Sequence, residues 1–182
     1  GEGAAYASRA SAWRTRRIPV CWETSGFATE KGWVRAEIET RLERQREFDV
    51  DFTGWGACRR GSDGIRIQVR DVGPHVKRLG RGLDGRRNGM VLNFTFDTWS
   101  RSCRGSRRRF CIEAIAMHEF GHALGLAHEQ NRDDTPSSCT DAPQGSNGDL
   151  FVGTWDPDSM MNYCNDDWVN GGRLSDGDRA AL

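Results

Sequence analysis

The 182-residue chain lacks the features that mark several large classes of protein. No stretch approaches the eighteen or more apolar residues of a membrane span, and no signal peptide is visible, so we expect a mature or trimmed segment. Neither sign of charge is in excess, with 26 basic and 26 acidic residues, so no long-range attraction to nucleic acid or to an anionic membrane is implied. No internal repeat is present. The length suits a single domain with a real hydrophobic core.

Six cysteines are present without any CxxC pair. An even count of this kind favours disulfides over a second metal site and indicates an oxidising, extracellular setting. Six cysteines allow fifteen pairings, and free buried thiols are the alternative. Spacing favours one bridge across a short arginine-rich loop and a second that fastens the segment after the histidine motif described below, which leaves one further pair. We therefore expect Cys103–Cys111, Cys139–Cys164 and Cys21–Cys58.

Three of the four histidines lie within residues 118–128, at spacings that suit one metal ion. His118 and His122 are four residues apart, so on a helix they lie on one face, one turn apart. Gly125 can take a left-handed conformation that ends the helix and returns the chain, bringing His128 back as a third ligand. Three protein ligands leave one tetrahedral position open, as in catalytic zinc sites. Glu119, beside the first ligand, is placed to take a proton from water at the metal.

The extended pattern of residues 118–128 resembles the zinc signature of the metzincin metallopeptidases. The alternatives are histidines that are ordinary surface or core residues, and a structural zinc site, for which a fourth ligand near the motif is missing. The resemblance implies an α+β fold with a twisted mixed sheet, two main helices above the cleft and an irregular lower subdomain. It implies one catalytic domain over residues 1–182, with an upper subdomain at about 1–125 and a lower one at about 126–182.

Residues 156–164 resemble the metzincin Met-turn, in which a methionine forms an apolar floor beneath the three histidines. Two methionines, Met160 and Met161, compete for this role. In the astacin and serralysin branches a tyrosine follows at the second position, which selects Met161 and pairs it with Tyr163. The resemblance implies that Tyr163 is a labile extra zinc ligand that also hydrogen-bonds the tetrahedral intermediate. The alternative is a core methionine pair and an ordinary buried tyrosine.

Glu129, directly after the third histidine, is similar to the glutamate of the astacin branch. In astacins that residue lies buried below the zinc site and pairs with the ammonium of the mature N-terminus. A solvent-exposed glutamate is the competing interpretation, and the opening residues, from Gly1 to Ala5, are either a natural terminus or a remnant of cloning. The closest resemblance is therefore to the astacin-like branch.

Hydrophobic patterning predicts the remaining elements. We expect strands at residues 17–22, 49–55, 65–72 and 90–96, an amphipathic helix at 33–48, the zinc helix at 111–126, and a final helix capped by Ser175 or Asp176. Residues 75–81 form a weaker strand candidate. In metzincins the corresponding edge strand pairs with the extended substrate backbone. The densest basic run, at residues 107–109, is expected to be a solvated loop.

Together these features predict a secreted, monomeric zinc endopeptidase with Glu119 as general base and Tyr163 as oxyanion donor. Its partner is a protein or peptide substrate, with no nucleic acid involved. The alternatives are a metzincin of another branch and a zinc-bearing binding module with little catalysis; the presence of Glu119 argues against the latter.

His75 is expected to be a structural or surface residue. Calcium is possible but unsupported: the acidic loop residues match no EF-hand and are usually solvated. They are Asp133, Asp134, Asp141, Asp156 and Asp158.

Overall fold

The computed structural model describes residues 4–182 as seven strands and three α-helices. The strands are β1 (Ala5–Ala7), β2 (Arg17–Trp22), β3 (Asp51–Ala57), β4 (Ile65–Val69), β5 (His75–Val76), β6 (Met90–Leu92) and β7 (Leu150–Val152). The helices are α1 (Ala28–Ile38), α2 (Arg108–Ala123) and α3 (Asp176–Ala181). No helix among these residues is both long and apolar enough to cross a bilayer.

The main sheet has the strand order β3-β2-β4-β6-β5. The first four strands run parallel, and β5 pairs antiparallel with β6 at the edge. A separate antiparallel pair joins β1 to β7. The predicted α+β class with a mixed sheet and two main helices is confirmed. The β1–β7 pair was not expected, because two three-residue strands carry too little pattern to be recognised.

Alternation along β2 shows how the sheet covers the core. Ile18, Val20 and Trp22 are at most 5% exposed, whereas Arg17 and Pro19 point to solvent. This period of two is the one expected for a strand with one buried face. The buried face packs with α1 and α2 in a single hydrophobic cluster.

The first helix confirms the predicted apolar stripe but not its limits. Val34, Ile38 and Leu42 are fully buried, as their spacing predicted. However, the helix begins at Ala28, five residues earlier than expected, because its first turn is polar and shows no apolar periodicity. It continues beyond Ile38 only as a wider π-helical turn, Glu39–Glu43, so the predicted extension to residue 48 is wrong.

Two predicted strands end early for local reasons. Strand β6 ends at Leu92, and not at residue 96, because the side-chain Oδ1 of Asn93 accepts hydrogen bonds from the backbone amides of Thr95 and Phe96. Such an Asx turn offers the backbone an alternative to the sheet. Strand β4 ends at Val69, where a tight turn follows.

The arginine run at residues 107–109 is not a solvated loop, which corrects the expectation. Arg108 and Arg109 form the first turn of α2, which therefore begins three residues earlier than predicted and ends at Ala123. The guanidinium of Arg108 donates to the carbonyl of Phe94 and, at 2.7 Å, to Glu30 of α1. Arg108 therefore joins the two helices at their N-terminal ends.

All three expected disulfides are present: Cys21–Cys58, Cys103–Cys111 and Cys139–Cys164. Free buried thiols are thereby excluded. The third bridge holds the long irregular segment that follows α2 against the residues that follow the methionine pair.

Helix α3 is held by a buried carboxylate. Ser175 caps the helix by accepting from the amide of Asp178, and Asp178 accepts in return from the amide of Ser175. The same carboxylate also accepts from the hydroxyl of Ser159 (2.6 Å) and the amide of Met160 (2.9 Å). Asp178 therefore ties the final helix to the turn that carries the methionines. Ser175, and not Asp176, is the cap.

We expect Asp178→Ala to lower the free energy of unfolding by about 3 kcal/mol, because it leaves three buried donors without an acceptor. Urea denaturation with the disulfides intact measures this change. Asp176→Ala removes an exposed carboxylate from the same helix and should cost less than about 1 kcal/mol. Equal losses in the two variants would contradict the role given to Asp178.

Candidate metal centre

Helix α2 places the first two histidines as the sequence predicted. His118 and His122 lie one turn apart in its last part, and both are at most 5% exposed. Their Nε2 atoms are 3.1 Å from each other. The helical repeat alone produces this arrangement, since residues i and i+4 project from the same face.

The third histidine is brought back by a turn at Gly125. This glycine has φ +106°, and a Cβ atom there would lie 3.3 Å from the carbonyl oxygen of Ser8, so the position favours glycine. Strand β1 receives the returning chain, because the amide of Ala127 donates to the carbonyl of Tyr6. The Nε2 atom of His128 then lies 3.2 Å from that of His118 and 3.1 Å from that of His122.

Backbone carbonyls set the tautomer of all three imidazoles. The Nδ1 atoms of His118, His122 and His128 lie 2.7, 2.7 and 2.9 Å from the carbonyl oxygens of three other residues. These residues are Met160, Leu126 and Gln144, in the order of the histidines. A carbonyl only accepts, so each Nδ1 carries the proton and each Nε2 presents a lone pair. Three lone pairs therefore face one point, which calls for a cation.

The charge state of the triad also fits zinc. Burial, with the nearby His128, lowers the pKa of His118 to about 3, and burial likewise lowers the pKa values of His122 and His128. The imidazoles are therefore neutral at physiological pH, as metal ligation requires. A tetrahedral zinc with bonds of about 2.0–2.1 Å separates its ligand nitrogens by roughly 3.3–3.4 Å, close to the spacing found here. The triad is positioned to bind one zinc ion.

Within residues 4–182, the triad is the only group of three or more His, Cys, Asp or Glu residues whose ligand atoms all lie within 4.8 Å of one another. Asp134 is engaged by the guanidinium of Arg132, and Asp156 accepts from Ser175 at 2.6 Å. Calcium therefore has no support from these residues.

Glu119 is buried beside the triad with one oxygen unused. It is 3% exposed, and its Oε2 atom has no hydrogen-bond partner within the described residues. Burial raises the pKa of this carboxyl group to about 8, and a zinc cation beside it would lower the pKa again toward the ionised form that a base requires. A buried, unpartnered carboxylate is costly for stability, so its presence here indicates a group kept for a ligand.

Both methionines pack beneath the zinc helix. A Cβ atom at Gly121 would lie 2.7 Å from Sδ of Met161 and 2.8 Å from Cε of Met160, so the two side chains fill the space beside this glycine. The backbone of Met160 holds His118, and the carbonyl of Met161 accepts from the amide of Glu129. The turn therefore supports the triad through both residues, whereas the sequence pointed to Met161 alone.

Tyr163 lies against the triad. Its half-buried ring stacks on that of His118, with centroids 5.4 Å apart and planes 14° from parallel, and lies 4.7 Å from the ring of His128. Burial, with a smaller contribution from Glu119, raises the pKa of its hydroxyl well above the usual value. Tyr163 therefore keeps its proton and can donate a hydrogen bond.

Glu129 is buried at 1% exposure, so the interpretation as a solvent-exposed residue is wrong. Its Oε1 atom accepts from the amide of Asp156 (2.9 Å) and lies 3.5 Å from Nε of Arg132. Burial raises its pKa to about 7, although Arg132 opposes the shift. The predicted ammonium partner, Gly1, lies outside the described residues. Within the described part of the chain, the guanidinium of Arg132 is a cation beside Glu129, and it also donates a hydrogen bond to the carbonyl of Ala5.

A cleft runs past the triad as two adjoining cavities of about 300 and 130 Å³. They share Pro74, Glu119, Gln144 and Tyr163. The larger cavity has mainly apolar walls: Trp99, Ile115, Trp168 and Val169. The smaller cavity is bordered by His75 and Val76 of β5, and His75 is exposed as expected. The sequence did not reveal Gln144 or the two tryptophans, since nothing near them in the chain signals the site.

The wall beside Trp168 has an unusual backbone. Val169, Asn170, Gly171 and Gly172 all have φ between +45° and +75°. A β-branched residue such as valine rarely adopts this left-handed conformation, which costs roughly 1–2 kcal/mol per residue. Val169 is nevertheless 2% exposed and borders the larger cavity. Conformational strain is therefore concentrated where the cleft is shaped.

The chain is similar to known proteins in sequence and in structure. The model of the matrixin family matches residues 27–142, more than half of the chain. The structure of myroilysin superposes with a TM-score of 0.63 at 17% identity, covering 98% of this chain and 95% of that one. High choriolytic enzyme 1, a hatching enzyme zinc-protease from Oryzias latipes (medaka fish), superposes with a TM-score of 0.54 at 21% identity, covering 86% and 74%. No curated protein sequence matches. The two structures support a metzincin-type fold.

We expect His118→Ala, His122→Ala and His128→Ala each to weaken zinc binding by more than the roughly 10–100-fold that follows loss of an outer-shell partner. Competition with a chromophoric chelator measures the affinity. His75→Ala removes the one remaining histidine, at the rim of the same cleft, and should change the affinity by less than about threefold. A comparable loss in His75→Ala would show that the ion binds elsewhere.

Proposed function

This chain belongs to the matrixin family of metzincin peptidases and is a zinc metalloendopeptidase; from that premise we propose that it is a secreted enzyme that cleaves extended protein segments with Glu119 as general base. The position of Glu119 is the main support for this proposal. Glu119 is a buried carboxylate with an unpartnered oxygen, next to three converging imidazole lone pairs and bordering both cavities of the cleft. A structural zinc site has no need of a base in that position.

The edge strand β5 supports an extended substrate. It is the last strand of the main sheet, and it borders the smaller cavity together with Glu119 and His128. A peptide lying antiparallel or parallel to a free sheet edge gains backbone hydrogen bonds whatever its side chains. The larger cavity, with Trp99 and Trp168 in its walls, suits one bulky apolar side chain next to the scissile bond.

The residues divide the chemistry among them. His118, His122 and His128 would hold a zinc ion, which would supply Lewis acidity for polarising a carbonyl and for lowering the pKa of a water molecule. Glu119 takes the water proton on its unpartnered oxygen and then delivers it to the leaving amine. Tyr163, which keeps its proton, donates a hydrogen bond to the oxyanion that develops on the substrate. The neutral imidazoles stay in place through their Nδ1 hydrogen bonds.

Several finer assignments belong to the same proposal. The burial of Glu129 and the contact of Tyr163 with two ligands support the astacin-like details, although the matching family model is that of the matrixins. Met161 is proposed as the apolar floor of the centre. Three disulfides support an oxidising, extracellular location. The division into subdomains at residue 125 and the monomeric state stay predictions.

Cleavage of a complex peptide library, read by mass spectrometry, tests the function. We expect cuts preceding or following bulky apolar residues, and their loss on treatment with a chelator. Glu119→Gln should retain zinc, measured by elemental analysis, and lose at least about a hundredfold in turnover, within the range of general acid–base catalysis.

Glu113→Gln is the matched control, because Glu113 lies on the same helix and pairs with Arg109 outside the cleft. It should retain wild-type activity. Undiminished cleavage by Glu119→Gln would refute the assigned base, and an absence of cuts by folded, zinc-loaded enzyme would favour a binding module.

Tyr163→Phe should lower kcat by about a hundredfold and change KM little, because its hydrogen bond strengthens only as the oxyanion forms. Steady-state kinetics on the best library peptide separates the two parameters. Tyr6→Phe is the control: Tyr6 is the only other tyrosine, and its hydroxyl donates to the carbonyl of Gly148. A wild-type kcat in Tyr163→Phe would show that Tyr163 only packs against the histidines and does not stabilise the oxyanion.

A further inference from the structure

Although the total charge is balanced, basic and acidic residues are concentrated in different parts of the chain. Residues 1–125 contain 23 basic and 15 acidic residues, whereas residues 126–182 contain 3 and 11. The excess of cations is densest between residues 59 and 87, where nine basic residues accompany three acidic ones. A balanced total therefore does not exclude a local attraction to anions.

Part of this excess surrounds a cavity of about 450 Å³ that shares no residue with the metal cleft. Four arginines line it: Arg59, Arg60, Arg66 and Arg87. Its one acidic residue, Glu23, is already engaged by the buried guanidinium of Arg66 at 2.7 Å. The side chains of the other three arginines make no ion pair or hydrogen bond with any residue in the range 4–182. Three uncompensated cations therefore face one concavity.

The loops that carry these arginines are held in place. The disulfide Cys21–Cys58 anchors the residue before Arg59, and the amide of Arg59 donates to Oγ of Ser62 at 2.8 Å. The amide of Asn88, which follows Arg87, donates to the carboxylate of Glu23. A backbone held in this way loses little freedom when an anion binds to the side chains that it carries.

The cationic surface continues from this cavity to the metal cleft. The ammonium group of Lys77 donates to the carbonyl of Arg87 at 3.1 Å, which places the two residues side by side. Arg78 comes next in the chain and borders the smaller cavity of the cleft with His128. We define the cationic track as Arg59, Arg60, Arg87, Lys77 and Arg78. All five residues are exposed.

We propose that the cationic track binds a linear polysaccharide that carries sulfate or phosphate groups, as a docking site that extends from the arginine-lined cavity to the rim of the metal cleft. Guanidinium forks match the geometry of these oxyanions and bind them through paired hydrogen bonds. The track contains no aromatic side chain, and stacking on aromatic rings is what single-stranded nucleic acids normally require. A polymer, and not a free ion, is favoured because the cations extend well beyond one cavity. The docking site would hold the enzyme on anionic material, with one end of the polymer close to the cleft.

The test measures binding of a heparin-derived hexasaccharide to the zinc-loaded enzyme by isothermal titration calorimetry. The variant Arg59→Gln/Arg60→Gln/Arg87→Gln should bind at least about tenfold more weakly, because it removes three guanidinium groups that would donate charged hydrogen bonds to the ligand. The control Arg14→Gln/Arg44→Gln/Arg46→Gln removes three exposed arginines without any ion pair among the described residues. It loses the same charge and should change the affinity by less than about threefold. Circular dichroism verifies that both variants are folded.

Three further ligands distinguish the possible sources of the anion. Inorganic sulfate, polyglutamate and a single-stranded oligonucleotide should each bind more weakly than the hexasaccharide. Equal affinity for inorganic sulfate would identify a free-ion site and overturn the polymer assignment. Tighter binding of polyglutamate or of the oligonucleotide would overturn the polysaccharide assignment. Equal losses in the two triple variants, or no binding of the hexasaccharide to the wild-type enzyme, would overturn the site itself. None of these outcomes depends on peptidase activity.

Discussion

The metal centre depends on three hydrogen bonds between imidazole Nδ1 atoms and backbone carbonyls. Each bond fixes the tautomer and the orientation of one ring, so that three lone pairs converge where only a cation can stabilise them. The carbonyls belong to Leu126, Met160 and Gln144, which lie in three separate segments outside the zinc helix. The three ligands and Leu126 are therefore close together in the chain, whereas Met160 and Gln144 are 42 and 16 residues away from the histidines that they orient.

Buried carboxylates connect this centre to the rest of residues 126–182. Asp178 joins the final helix to the methionine turn, and Glu129 joins the third ligand to the start of the same turn through the amide of Asp156. Arg132 extends the connection to both strands of the β1–β7 pair. Because buried charges are costly unless they are hydrogen-bonded, each of these groups constrains the backbone around it. The irregular segment is thus ordered by polar contacts and a disulfide where regular secondary structure is sparse.

Besides these ordered polar groups, the cleft contains a strained backbone segment and a carboxyl oxygen without a hydrogen-bond partner. Glu119 keeps one oxygen without a partner, and the wall at Val169 adopts a backbone conformation that valine avoids. Both features reduce stability, and both lie where a substrate would bind. The remainder of the molecule compensates through a well-packed core between the sheet and two helices, which holds the reactive groups in position before a substrate arrives.

The sequence alone predicted the triad, the turn at Gly125 and the apolar stripe of the first helix, and it favoured the three observed disulfides among fifteen possible pairings. The first three features were predictable because helical periodicity and glycine conformation act over a few residues. The tertiary structure alone decided that Gln144 orients His128, that Trp99 and Trp168 line the cleft, that Arg108 and Arg109 begin a helix, and that the terminal strands pair. Each of these depends on contacts between residues far apart in the chain. Such contacts are selected by the packing of the whole domain, and no local pattern records them.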